Sequence, residues 1–201
     1  MSITIQGRAA LIVNECQRGV IERGIGSFTG LIDQVEERGI VPRIAVLADE
    51  FRARGLPVVH APVVHRPDFA DIRPTSLINA LTLKGRRMVA GSPDADYVDP
   101  LKPRETDLIV ERSSGLIVFI ATALDALLRR MDIETVVLTG VSTNLAIAGC
   151  AIAAQELGYH VIIPEDCIAG ADANTHRVIV QEQLRMIARI SSAADVQAAL
   201  G

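Results

Sequence analysis

The 201-residue sequence predicts a three-layer α/β/α domain whose mostly parallel sheet has about six strands. Three observations carry that fold class. Short apolar, β-branched runs alternate with segments whose apolar residues recur at helical spacing, as repeated β-α units require. The runs are apolar throughout rather than at every second residue, the pattern of strands buried on both faces. Polar or glycine-containing turns follow several of them, at the edge where parallel α/β sheets build their sites. Hydrophobic residues make up 49% of the chain, so one domain spanning 1–201 has a sizeable core. Aromatics are only 3% and Trp is absent, so that core is aliphatic.

The elements follow in order. Ala9 to Asn14 (AALIVN) is the first strand, with Glu15-Cys16-Gln17 at its carboxyl end. Cys16 alternates away from Glu15, as a small packing residue would and a nucleophile would not. Residues 21–39 contain Gly, Ser and Thr before a mixed, helix-like run. From Ile40 to Arg54 the residues Ile44, Leu47, Ala48 and Phe51 keep helical spacing, and Gly55 ends the segment. Leu56 to Ala61 (LPVVHA) is a second strand, which gives a β-α-β unit with a right-handed crossover. His60 and His65 flank Pro62-Val63-Val64 just beyond it. Residues 66–106 form a long excursion with one short helix around Ser76 to Leu83; connections of this length are commonly lids or substrate-shaping loops.

Asp107 to Val110 (DLIV) is the third strand, followed by Glu111-Arg112-Ser113-Ser114-Gly115. Thr122 and Asp125 resemble a capping box before a helix over Leu124 to Met131. Val136, Val137 and Leu138 form the fourth strand, ending in Thr139-Gly140. Val141-Ser142-Thr143-Asn144 is then a strand-to-helix turn, and Leu145, Ala148, Ile152 and Leu157 fall at helical spacing before Gly158. His160 to Ile163 is a fifth strand. Asn174 to Ile187 reads as an amphipathic helix with Val178, Gln181, Leu184 and Ile187 along one side. Ala188 to Ser191 is a sixth strand and Ala193 to Leu200 a terminal helix.

Composition excludes several functions. A net charge of −4 with no basic block argues against a nucleic-acid partner. The N-terminus has no apolar leader region, and no apolar run approaches the roughly 18 residues of a membrane helix. The cysteines, at irregular spacing, suggest neither a disulfide framework nor a zinc site. A cytoplasmic protein with no membrane partner is the expectation.

The stretch TGVSTN, its Ala-rich helix and ELGYHVIIPEDCIAG resemble the isochorismatase-like superfamily of cysteine hydrolases, as do AALIV-x-E-x-Q and DLIV-x-x. The resemblance runs from Ala9 to about Ser191 and implies a Rossmann-like hydrolase fold acting on a small molecule, with no cofactor, in a homo-oligomer of two or more chains. It places Glu15 as general acid/base and Arg112 where the family has a catalytic Lys. Gln17, His65, Val141, Ser142, Asn144 and Ala146 fall at substrate-binding positions, and a cis peptide falls at Val141–Ser142. The sequence departs from the family pattern at its centre: Ala146 stands where the thiol nucleophile would be. Arg112 also stays charged at any working pH, so it cannot move a proton as a perturbed Lys does. The Asp-x-His element through which some members bind metal is missing, so no metal is expected.

Competing readings remain at each position. Glu15 fits a solvated strand end, Arg112 a salt bridge tying two strands, and His65 simple packing. Three function classes follow. One is a cysteine-independent hydrolase acting on a small anionic metabolite through Glu15 and Arg112, by vinyl-ether or related cleavage. Another is a non-catalytic small-molecule binder, and the third is an amide hydrolase using water activated by Glu15. A Glu15 with a free lone pair suits catalysis, whereas one sealed in a bidentate pair with Arg112 suits scaffolding.

Overall fold

The computed structural model describes residues 3–113 and 116–201; Ser114 and Gly115 of the stretch after the third strand lie outside the described residues. Among the described residues seven strands form one parallel sheet: β1 Arg8–Asn14, β2 Val58–Ala61, β3 Leu108–Ile109, β4 Ile133–Val141, β5 His160–Pro164, β6 Ile168–Ala169 and β7 Arg189–Ser191. Their order is β3-β2-β1-β4-β5-β7, with the short β6 pairing the end of β4. β1 therefore lies at the centre, with Asn14 level with Ala61 on one side and Gly140 on the other. That register sets the carboxyl ends of β1, β2 and β4 side by side.

Alternation along the strands splits the core in two. Ala10, Ile12, Val136 and Leu138 face one layer, which holds α5 Leu124–Arg130 and α6 Ala148–Glu156. Leu11, Val13 and Val137 face the other, built on α3 Ile40–Ala53 and α8 Ala193–Ala199. α1 (Arg18–Ile21) and α2 (Thr29–Arg38) precede α3, and Gly39 separates α2 from α3 with φ 59°, a left-handed conformation that glycine adopts without strain. Ser192 and Asp195 close a capping box on α8.

The structure differs from the sequence reading in several places. The third strand shrinks to Leu108–Ile109, because Asp107 leaves the ladder to receive Arg52. Thr122 does not cap α5; its hydroxyl donates to Val118 O and accepts from the Leu124 N–H. Of the apolar residues expected along one side of the α6 segment, Leu145, Ile152 and Leu157 are exposed, at 43%, 45% and 37%, and only Ala148 is buried, beside Cys150, Ala151 and Ala154 of α6. Small side chains let this helix approach the sheet closely, and that requirement outranks hydrophobicity.

The amphipathic segment after Asn174 is α7 Ala173–Val178, continued by a π-helical stretch Ile179–Gln183 and a 3-10 turn Leu184–Met186, and it buries His176, Val180 and Leu184 rather than Val178. α4 Leu77–Gly85, capped by Ser76, lies in the long excursion as expected but buries none of its residues. Among the described residues no helix is long and apolar enough to cross a membrane.

Candidate active site

The site begins where β1 ends. Asn14 is fully buried and its Nδ2 donates to Thr139 O at 3.2 Å, which couples the ends of β1 and β4. Gly140 permits that closeness. Its φ is 96°, and a Cβ there would collide with Asn14 O and stand 2.9 Å from Asn14 N. Directly after Asn14 the chain turns through Glu15, a non-glycine residue at φ 51°. Such conformations cost of order 1–3 kcal/mol and persist where the surroundings enforce them. Here the turn lifts the Glu15 carboxyl over the strand ends.

Arg112 comes from the far side of β2. Its Nη1 donates to Ala61 O at 2.9 Å, and its Nη2 contacts Glu15 Oε1. The guanidinium is buried, and the Glu15 side chain is 13% exposed. The contact to Glu15 uses one carboxyl oxygen, and among the described residues no hydrogen bond ties up Oε2. Burial pushes the Glu15 carboxyl above the ordinary carboxylate range; Arg112 pulls the other way without cancelling it. An acid in that state holds a proton at a pH where a surface Glu has lost it.

The third side is the turn after β4. The Val141–Ser142 peptide is cis, as the family resemblance implied. Thr143–Ile147 then make a wide π-type turn into α6, with Ser142 O accepting from the Leu145 and Ile147 N–H groups. Asn144 Oδ1 accepts from the Ala171 N–H, and Ser142 and Asn144 are half-buried. Ala146 is 1% exposed. One turn on, the Cys150 thiol points to Asn14 Oδ1 at 3.7 Å. Burial pushes that thiol up to about 11, so it stays protonated near neutrality. The Cys16 and Cys167 thiols are also buried and raised for the same reason.

Other predicted residues lie elsewhere. Gln17 is fully buried and spent on backbone: its Nε2 donates to Val63 O at 2.9 Å and Ala95 O at 2.7 Å, while Oε1 accepts from the Val63 N–H at 2.8 Å. It straps the excursion to the strand ends. His65 packs its ring on Phe69 and faces Asp71 at 3.7 Å, and burial holds it neutral. Its contacts lie in the excursion, not at Glu15 or Arg112. His60 likewise joins Asp107 at 3.1 Å beneath the Tyr97 ring. Among the described residues no cluster of three His, Cys, Asp or Glu side chains is placed to hold a metal.

Sequence reasoning missed two residues here. Asn14 reads as the polar end of a strand, although its place on the same face as Ile12 signals a side chain aimed at α6. The Thr143 hydroxyl bonds His176 Nδ1 at 2.9 Å inside the protein, a contact between distant segments that no local pattern shows.

Comparison with known proteins agrees with this geometry. A family model described as the isochorismatase domain matches residues 9–195. The uncharacterized isochorismatase family protein YecD of Escherichia coli O157:H7 is 31% identical over 192 residues, covering 95% of each chain. The maleamate amidohydrolase of Pseudomonas putida is 25% identical over 175 residues, 84% of this chain and 76% of that one. Among solved structures, an isochorismatase family protein from Desulfovibrio vulgaris superposes with a TM-score of 0.84 at 25% identity, over 97% of this chain and 99% of its own. The match runs through almost the whole domain and includes the strand ends that carry Glu15 and Val141–Ser142, so the chain belongs to the isochorismatase family of hydrolases.

Proposed function

We propose that this hydrolase acts on a small anionic metabolite by acid/base chemistry centred on Glu15, without a covalent thiol intermediate. The observation that supports this most is the state of Glu15. It is largely buried, held in a left-handed backbone conformation, raised in pKa, and contacted by Arg112 through one oxygen only. A carboxyl whose pKa burial raises is suited to general-acid work. Ala146, at the position the family resemblance gives to the nucleophile, can neither attack nor ionise. The Cys150 thiol is a poor substitute, because it is fully buried and stays protonated.

In the step we envisage, Glu15 Oε2 donates its proton to the substrate, as to the alkene carbon of a vinyl ether. Water adds to the oxocarbenium ion that results and returns a proton to the carboxylate, and the hemiketal so formed collapses, its C–O bond breaking to release the alcohol and leave a carbonyl compound. The Arg112 guanidinium fixes Glu15 Oε1, so Oε2 is the oxygen that acts, and its charge favours an anionic substrate beside it. The half-buried Ser142 and Asn144 border the same space. Gln17 holds the walls together rather than touching the substrate.

A second reading has its own support, since the maleamate and ureidoacrylate amidohydrolases among the relatives are named for C–N hydrolysis. In it, ionised Glu15 takes a proton from water, which attacks the amide carbon, and the protonated carboxyl then gives that proton to the nitrogen as the C–N bond of the tetrahedral intermediate breaks. The pH profile separates the two. Acid catalysis is lost as pH rises through the raised pKa of Glu15, whereas base catalysis grows over that range. The experiment is a thermal-shift screen of vinyl-ether, carboxylate and amide metabolites, followed by product analysis of the hits on either side of neutrality. Binding without turnover of any hit would favour a non-catalytic binder instead.

The exposed apolar side chains Ile120, Leu145 and Ile152 support the expected homo-oligomer. Light scattering at micromolar protein tests it, and a monomer would refute it.

A further inference from the structure

Ala146, which the proposed chemistry leaves without a reacting group, is nevertheless the best-defined point of the site. Residues three and four positions further along a helix lie on the same face, about 5–6 Å away at Cβ. Here those residues are Gly149 and Cys150. The Cys150 thiol reaches Asn14 Oδ1 at 3.7 Å, and Asn14 is the residue that precedes Glu15. That neighbour ties one flank of Ala146 to the acid side of the site.

Gly149 defines the other flank. A Cβ on Gly149 would stand 2.7 Å and 2.9 Å from Ile117 Cγ1 and Cδ1, so the Ile117 side chain rests on bare helix backbone one turn from Ala146. Ala146 thus lies one turn before the two residues that meet Ile117 and Asn14, and at 1% exposure almost nothing of its methyl faces solvent.

We propose that Ile117 is the specificity-determining wall of the site. Seated on Gly149, it narrows the space over Ala146 to slim, acyclic anions and excludes ring-bearing substrates. The inference rests on the reading of Glu15 and Arg112 as the polar wall of that space. A side chain that fills a pocket discriminates by volume, and each methylene counts about 10–200-fold in such pockets.

The test needs no substrate. Ala146→Cys places a thiol at the point in question, and the native cysteines are all buried. Its labelling by slim iodoacetamide and by ring-bearing N-phenylmaleimide is followed by mass spectrometry, each rate being divided by that of the reagent with a free thiol. With Ile117 present, the ring reagent should lag iodoacetamide by at least about tenfold. Adding Ile117→Ala should shrink the lag to within about threefold, and Ile117→Val should fall between. Ile117→Val also serves as the decisive variant if circular dichroism shows Ile117→Ala to be unfolded. Equal access for both reagents with Ile117 in place would overturn the proposal. So would a lag that survives its truncation, or a truncated protein that neither reagent labels. Because labelling involves no turnover, it can fail while Glu15 still proves essential, and the reverse.

Discussion

At the scale of single residues, the site depends on close backbone approaches more than on chemical groups. Gly140→Ala illustrates this. Its methyl would meet the Asn14 backbone, which cannot swing aside as a side-chain tip can. A loss of about 3 kcal/mol or more is expected in denaturant titration, at the upper end for single substitutions. The cysteines give the opposite expectation. Iodoacetamide should label Cys16, Cys150 and Cys167 of the folded protein slowly, because each thiol is buried with a raised pKa. Activity should survive Cys150→Ser with less than about a tenfold loss, roughly 1.4 kcal/mol of barrier. Fast labelling of Cys150 with parallel loss of activity would show that the nucleophile has moved one turn along the helix. Glu15 and Arg112 could be matched from the sequence because they directly follow apolar strands. That the pair is joined through one oxygen could not, since its geometry depends on the left-handed turn at Glu15.

At the scale of elements, the long excursion is strapped down more firmly than its sequence suggests. Besides Gln17, Arg87 ties it to the α1 region through Gly19 O at 3.2 Å and Ile25 O at 2.5 Å, and Asp94 accepts from the Met88 N–H. Gln17→Leu should therefore cost about 1–3 kcal/mol for each buried backbone group left unpaired at Val63 and Ala95. Hydrogen exchange should rise first in residues 92–98, and exchange unchanged there would contradict the strap. The strands were legible because buried parallel strands are apolar throughout. The α6 face and the segment after Asn174 were not, because helical spacing shows which residues share a face but not which face meets the sheet. In α6 both faces are apolar, and side-chain size decided the outcome.

At the scale of the whole molecule, three buried histidines set the acid limit of stability. His60, His65 and His176 are each lowered in pKa, first by burial, with nearby carboxylates opposing. A histidine that folds neutral binds fewer protons folded than unfolded. Its contribution is thus complete above the unfolded pKa of about 6.5 and is lost as pH falls below it. Each can remove up to about 1.4 kcal/mol per pH unit there. Melting temperature should hold from pH 7 to 8 and fall steadily below pH 6, and replacing His176 with Gln should flatten part of that fall. The mostly parallel α/β architecture was legible in the sequence, because composition and the alternation of periods both bear on it. The two-layer division of the core and the strap across the site were not, since both arise from contacts between segments far apart in sequence.

The central claim is that Glu15, and no thiol, carries the chemistry, and its most direct test is Glu15→Gln on a substrate found by the screen. Gln keeps the size of the side chain and still accepts a hydrogen bond from Arg112, but it has no proton to give. The account predicts that kcat falls by at least about a thousandfold, a loss of some 4 kcal/mol of transition-state stabilisation, with a folded, cooperatively melting protein. Turnover by Glu15→Gln within about tenfold of the parent would contradict it.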